Sequence, residues 1–391
     1  MSSQVLNCGY VPLVDSAPLI LAAELGFAAQ EGLSLNLLRQ PSWAALRDLL
    51  ALGHLDAAHM LSPLPVAMSL GLSGPKVSIV TPIVMSANGT VLGLSKSLAN
   101  DLRQTGWQPD PERPLDLVAG LQALARPLRV GVPFPYSMHR LLFEYLIENA
   151  GPGLAERAQI VTMPPPLMAH AVLNGEIDLF FVGEPWGSVA VRNGAAELVL
   201  PGSGIWAHAP EKVLAMRADW AEGNALTAGA LTRAIYRACS WLGQPANRSL
   251  AVEILARSEH LGLPHEAIDP ALTGRISPRI DAPPWQISAF ARFHGGATTF
   301  PWRSFGAWLG HQMSRLENLD RASTLKIATQ CFRPDLYRAY LSTTSADMPG
   351  ASAKMEGTMA HPTPVASMRG EMILGPDAFF DGKTFDFPEI F

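Results

Sequence analysis

Cysteine is scarce in this chain of 391 residues: Cys8, Cys239 and Cys331 are an odd set with no short spacing between them. That excludes a zinc motif and an obvious disulfide framework, and fits three buried apolar thiols in a reducing compartment. Charge is scarce too, at 16% Asp, Glu, Lys and Arg against 48% hydrophobic residues. A formal net charge of −5 gives no electrostatic basis for direct nucleic-acid binding. No run approaches the roughly 18 uninterrupted apolar residues that would span a bilayer, so no membrane segment is expected. Met1-Ser2-Ser3-Gln4 offers neither a basic region nor an apolar one. The expectation is therefore a chain without an export signal, at work in the cytoplasm. No G-x-x-x-x-G-K-[ST], H-E-x-x-H or G-x-S-x-G occurs. Asp15, Asp48, Asp56 and Glu184 form no local pair that demands acid–base chemistry, so neither catalysis nor a cofactor is expected. His54 and His59 lie across a turn and strand, and His260 and His265 straddle Gly262-Leu263-Pro264. Neither pair has ligand spacing, and no metal site is expected.

What the chain does carry is alternation of strand and helix patterns. A strand at 5–10 leads through Asp15-Ser16-Ala17-Pro18 into a helical stretch. Strands follow at 33–38, 55–60 and 76–84, with helices at 42–52 and 63–72 between them. Asn88-Gly89 is a turn signal, and 90–94 reads as a crossover into a second αβ run. Residues 97–114, with Gly106, Pro109, Pro111 and Pro114, read as a polar linker. Helices are predicted at 115–125, 137–149, 167–173 and 184–192, and strands at 128–132, 159–163, 178–182 and 197–200. A second crossover near 206–214 returns the chain to the first unit, and mostly helices follow. The tail 341–391 has no clear periodicity and is expected to pack along the first lobe. The predicted class is α/β, with one lobe (1–92 and 210–391) interrupted by another (93–209) and a ligand cleft between them.

Ligands of open α/β sheets sit beyond the carboxyl ends of the strands, where helices begin and free N–H groups favour anions. Three such turns are unusually decorated. Gln40-Pro41-Ser42-Trp43 offers a capping hydroxyl at Ser42 and an indole at Trp43. Phe134-Pro135-Tyr136-Ser137-Met138-His139 offers Ser137 as a cap and His139 as a donor. Gly183-Glu184-Pro185-Trp186 offers close backbone approach at Gly183 and Pro185 at a first helical position. Asn88, at the first crossover, adds an amide donor. Together these suit a small, planar, delocalised ligand. Each also has a plainer reading: Ser42 and Ser137 as ordinary N-caps, His139 as a structural histidine, Trp43 and Trp186 as packing aromatics.

The chain also resembles the nitrate/bicarbonate-binding branch of the ABC-transporter solute-binding proteins. The matching segments run in order from Gly9-Tyr10-Val11-Pro12-Leu13-Val14-Asp15-Ser16-Ala17-Pro18-Leu19 and Gln40-Pro41-Ser42-Trp43-Ala44-Ala45-Leu46-Arg47-Asp48-Leu49. They continue through the 134–139 and 183–186 turns, Pro210-Glu211-Lys212-Val213-Leu214 and Phe300-Pro301-Trp302-Arg303-Ser304. The last is Phe379-Phe380-Asp381-Gly382-Lys383-Thr384-Phe385-Asp386. Within that branch the chain is similar to the NasS-type cytoplasmic nitrate/nitrite sensors. The resemblance implies a two-lobe periplasmic-binding-protein-like fold of type II and nitrate or nitrite as ligand. It implies as partner a NasT-like RNA-binding antiterminator, held inactive until the anion binds. The alternative it leaves open is a solute-binding component of a nitrate or bicarbonate transporter. By position, Trp43, Asn88, His139 and Gly183 match ligand-contacting places of the family. Where the family often has Trp-Lys, this chain has Trp206-Ala207-His208, which leaves His208 or Lys212 to supply the positive charge.

Overall fold

The computed structural model describes residues 3–151, 153–288 and 290–387. Met1 and Ser2, half of the run behind the export expectation, lie outside them. Ten strands organise the chain as far as residue 217: β1 (Gln4–Tyr10), β2 (Leu33–Arg39), β3 (Ala57–Leu61), β4 (Ile79–Asn88), β5 (Thr90–Ser95), β6 (Leu128–Val132), β7 (Ala158–Thr162), β8 (Leu179–Gly183), β9 (Ala196–Pro201) and β10 (Pro210–Arg217). They form two sheets, one in each lobe. The first has the order β2-β1-β3-β10-β4, closed at its far edge by the short strand Ala291–Arg292; the second has the order β7-β6-β8-β5-β9.

The strand chemistry explains the layering. β3, β4 and β8 are buried at every position, as expected of strands covered by helices on both faces. Edge strand β2 leaves part of its length exposed. In the first sheet β1 runs parallel to β2 and β3, while β10 is antiparallel to both its neighbours. The second sheet repeats the arrangement: β6 is parallel to β7 and β8, and β5 is antiparallel to β8 and β9. Among β1–β10, the strand of each lobe that runs against its neighbours is therefore the one that has just crossed from the other lobe.

The first crossing is short. Asn88 and Gly89 both have positive φ, 61° and 85°, which Asn and Gly tolerate better than other residues. Thr90 then begins β5 at once, so 90–94 is a strand of the second sheet rather than an extended connection. The 97–114 stretch also differs from its linker reading. Lys96–Gln104 is a helix, capped by Ser95 Oγ accepting from the Leu98 amide at 3.1 Å, with Leu98, Ala99 and Leu102 buried. The prolines that follow it mask this single amphipathic turn pattern.

The tail packs along the first lobe as expected, with the Arg303 amide donating to the Ser352 carbonyl and Ser304 Oγ to Glu356, but its last part is a strap that also reaches the second lobe. The tail forms the hairpin Thr363–Ser367 with Gly370–Leu374, then crosses to the other lobe. The Ala207 amide donates to the Ala378 carbonyl at 3.0 Å, and the Phe380 amide to that of Ile205 at 2.9 Å. Phe379 stacks on Trp206 with ring centroids 4.8 Å apart. The Tyr145 hydroxyl, on the second-lobe helix Met138–Ala150, donates to Asp381. Lys354, itself almost buried, holds the strap down through ion pairs with Glu356 and Asp377.

Register supplies one sharp steric test. Gly93 pairs with Phe180 across β5 and β8, and a Cβ on Gly93 would lie 2.4 Å from the ring carbon Cζ. Gly93→Ala is expected to cost about 1–3 kcal/mol of stability by overpacking. Urea denaturation measures it, and adding Phe180→Leu should recover part of the loss.

Candidate functional site

The parallel strands of both sheets end on one seam. From the first lobe, the turn after β1 presents Asp15, and the helix Trp43–Ala51 begins with Trp43. His59 comes from within β3. Because β10 is antiparallel, its beginning lies where β3 ends: Lys212 pairs with Leu61, and Leu214 with His59. Glu211 and Lys212 thereby join the same edge. The second lobe contributes His139, from the first turn of the helix Met138–Ala150, and Gly183 at the end of β8. A Cβ on Gly183 would stand 2.9 Å from Leu13, 3.6 Å from His139 Nε2 and 3.7 Å from Asp15 Oδ2. A side chain at this position would have to displace Leu13, so glycine leaves room for the close approach of the two lobes. The Val14 amide donates to the Glu184 carbonyl at 3.0 Å, and Trp186 Nε1 to the Pro12 carbonyl at 3.3 Å. Both bonds hold the seam closed.

At its centre, Lys212 Nζ lies 2.6 Å from Asp15 Oδ2 and 2.7 Å from Glu211 Oε1, with no solvent exposure. His59 Nε2 lies 2.9 Å from Asp15 Oδ1. The Lys212 ammonium stands 5.5 Å from the Trp43 ring centroid, and His139 Nε2 stands 3.7 Å from Glu211 Oε1. Burial would raise the Asp15 pKa, but the Lys212 charge and the His59 hydrogen bond outweigh it and hold it at about 2. Burial also opposes charge on Lys212, yet Asp15 and Glu211 keep its pKa above the ordinary value. For Glu211 burial wins over Lys212, and its pKa is pushed up to about 7. Burial, reinforced by the Lys212 charge, takes His139 well below its ordinary value, so the ring is neutral. Burial likewise lowers His59, against the pull of Asp15.

Several buried polar atoms here have no hydrogen-bond partner in the protein: Trp43 Nε1, both ring nitrogens of His139, one of which carries the N–H of the neutral ring, and the hydroxyl of Ser86. Ser86 pairs with Lys212 across β4 and β10. Buried polar atoms are normally satisfied, so unpartnered donors gathered around a lysine mark a site for a small acceptor-rich ligand. Among the described residues, no group of three or more His, Cys, Asp or Glu side chains could hold a metal ion.

Of the residues expected at the site, Trp43, His139, Gly183 and Lys212 come together. Ser42 and Ser137 act as N-caps, accepting from the amides of Ala45 and Arg140 at 3.2 and 3.3 Å. Pro185 caps the helix Trp186–Arg192 rather than opening it, and its bond to Glu184 is cis. The Asn88 amide pins the second crossover, donating to the Ala207 carbonyl at 2.9 Å and accepting from the Ala209 amide at 3.0 Å. His208 is not brought to the cluster. Its ring stacks on Phe305, and the charges acting on it are Arg292 and Lys354. Sequence reasoning missed Asp15, His59, Glu211 and Ser86 as site residues. The one available signal was a histidine inside the otherwise apolar strand Ala57–Leu61.

The family model described as the NMT1-like family matches residues 2–256. The chain belongs to the NMT1-like family. It is 29% identical to the nitrate/nitrite binding protein NrtA of Synechococcus elongatus, over 97% of this chain and 83% of that protein. It is 32% identical to the nitrate import ATP-binding protein NrtC of Synechocystis, over 85% of this chain and 49% of that protein. The chain thus spans about half the length of the first curated relatives it matches. The crystal structure of the periplasmic nitrate-binding protein NrtA from Synechocystis superposes with a TM-score of 0.84 at 25% identity. It covers 98% of this chain and 96% of that one. A ligand-binding component of an ABC-type import system from Staphylococcus aureus shares the fold, with a TM-score of 0.64 at 19% identity. The fold is that of the periplasmic-binding proteins, and no helix among the described residues is long and apolar enough to cross a membrane.

The electrostatics set a pH signature. Glu184, buried with Ser188 as its partner, is also raised by burial to about 7 from 4.5. A carboxyl whose pKa is raised on folding stabilises fully below its unfolded pKa, and that contribution is lost as pH rises through the folded value. Stability should therefore fall from about pH 4.5 to about pH 7, by about 3 kcal/mol for each glutamate, and level off above that. Denaturant titrations across that range check this, and Glu184→Gln should flatten the decline.

Proposed function

We propose that this chain is a binding protein that closes its two lobes on nitrate or nitrite, without a cofactor and without catalysing a reaction. The supporting observation is the set of buried, unpartnered donors of Trp43 and His139 beside the Lys212 ammonium. Nitrate is planar, singly charged and carries only acceptors, so N–H groups, an indole face and a cation suit it. Hydrogen bonds to a charged group contribute roughly 1.5–3 kcal/mol each. Three of them, less the cost of association, correspond to micromolar affinity. The names of the NrtA relatives point to the same ligand class.

In this proposal the protein is a cytoplasmic sensor. Anion binding favours the closed state and changes its fit to a NasT-like antiterminator, which alone contacts RNA. Support for the sensor role comes from the motif resemblance to NasS-type proteins. The second reading, delivery of nitrate or bicarbonate to a transporter, draws on the similarity to NrtA and to the bicarbonate-binding protein CmpA of Synechococcus elongatus, 27% identical over 98% of this chain. Either role requires a ligand with unequal affinity for the open and closed states.

At a hundredfold excess over its Kd, nitrate should stabilise the protein by about 2.7 kcal/mol, read as a rise in melting temperature. Trp43→Phe keeps the packing but removes the indole N–H, and should weaken the rise; His139→Ala should abolish it. No shift with millimolar nitrate or nitrite defeats the anion assignment. Affinity co-purification with a NasT-like protein, with and without nitrate, separates the two roles: a nitrate-released complex supports the sensor, and recovery of the chain outside the cytoplasm supports the transporter.

A further inference from the structure

We propose that Glu211 takes up a proton as the anion binds, changing from a charge that repels the ligand into a donor that holds it. This rests on the anion-binding assignment above. Among the described residues, two charged groups and two imidazoles surround Glu211. From its own strand comes Lys212, positive, at 2.7 Å; from the turn after β1 comes Asp15, negative, paired with Lys212 at 2.6 Å. His59 on β3 is bonded to Asp15, and His139 approaches from the second lobe at 3.7 Å; both imidazoles are held neutral. Trp43 lies beyond the ammonium and carries no charge. Lys212 and Asp15 cancel, so an ionised Glu211 leaves the cluster with one net negative charge, away from solvent.

A monoanion entering that cluster meets a second negative charge with little dielectric screening. One proton from solvent removes the conflict. Glu211 carboxylate, a proton and nitrate become a neutral carboxyl whose O–H donates to a nitrate oxygen, and no other bond is made or broken. Geometry favours Glu211 as the acceptor. Its Oε1 is committed to Lys212, whereas Oε2 is buried without a partner and free to carry the proton. Its near-neutral pKa means that the protonated form is reached at little cost. Protonating His139 instead would put a second cation beside Lys212. Ligand chemistry sharpens the distinction. Nitrate and nitrite have no hydrogen to offer an ionised carboxylate, whereas bicarbonate has its own O–H and needs no added proton.

Isothermal titration of the full chain with sodium nitrate at pH 8, in phosphate and in Tris, tests this by counting protons from the difference in heats. The expected result is uptake of about one proton per nitrate, and affinity that weakens about tenfold per pH unit above neutrality. Glu211→Gln, a permanent amide donor, should abolish the uptake and make nitrate affinity independent of pH from 6 to 8.5. Nitrate binding with equal heats in both buffers overturns the proposal, and that measurement needs no variant. Proton uptake that persists in Glu211→Gln overturns it too, by assigning the proton elsewhere. Absence of nitrate and nitrite binding in the unaltered protein, seen equally as no thermal shift, overturns the anion assignment and this proposal with it.

Discussion

The buried ammonium of Lys212 constrains everything around it. A cation with no access to water is tolerated only where opposite charge and hydrogen bonds replace its hydration. Here the replacement comes from places far apart in the chain: Asp15 after the first strand, and Glu211 on the strand that returns from the second lobe. Loss of Asp15 would leave the Lys212 charge without its ionised partner in the interior. The ion cluster therefore fixes the β10 register against the turn after β1, and so fixes how the second lobe is hung from the first.

That constraint works because of strand direction. Each lobe accepts an antiparallel strand from its neighbour, β5 in one direction and β10 in the other. A parallel strand would bring its last residues to the seam; an antiparallel one brings its first. Glu211 and Lys212 reach the seam immediately after the crossover, so the crossing and the ion cluster are neighbours along the chain. Asn88 ties the two crossings together through its amide. Opening or closing the lobes must move the very backbone that carries the lysine.

The fold was legible in hydrophobic patterning and turn chemistry, because strands such as β3 and β8 are short apolar runs bounded by clear stops. Trp43, His139 and Gly183 were legible because they sit at strand-to-helix turns, where local sequence already implies a role. Asp15, His59 and Glu211 were not. Their partnership depends on the pairing of β3 with β10, about 150 residues apart in sequence, and no local spacing encodes it. His208 lies beside the crossover in sequence, yet its side chain packs on Phe305 among the aromatics behind the seam. The helix Lys96–Gln104 was obscured by the prolines after it, and the strap by its lack of periodicity.

That strap gives the protein a folding unit larger than its family signature. The NMT1-like match ends at residue 256, but Phe300, Trp302, Phe305, Trp308 and Phe379 beyond it are all buried. Trp206, inside the match, is covered by Trp308 and Phe379 from outside it. Residues inside the match therefore rest on residues beyond it. Phe379 and its neighbours pack beside the second crossover, so substitutions there would act on the joint between the lobes rather than on the Lys212 cluster.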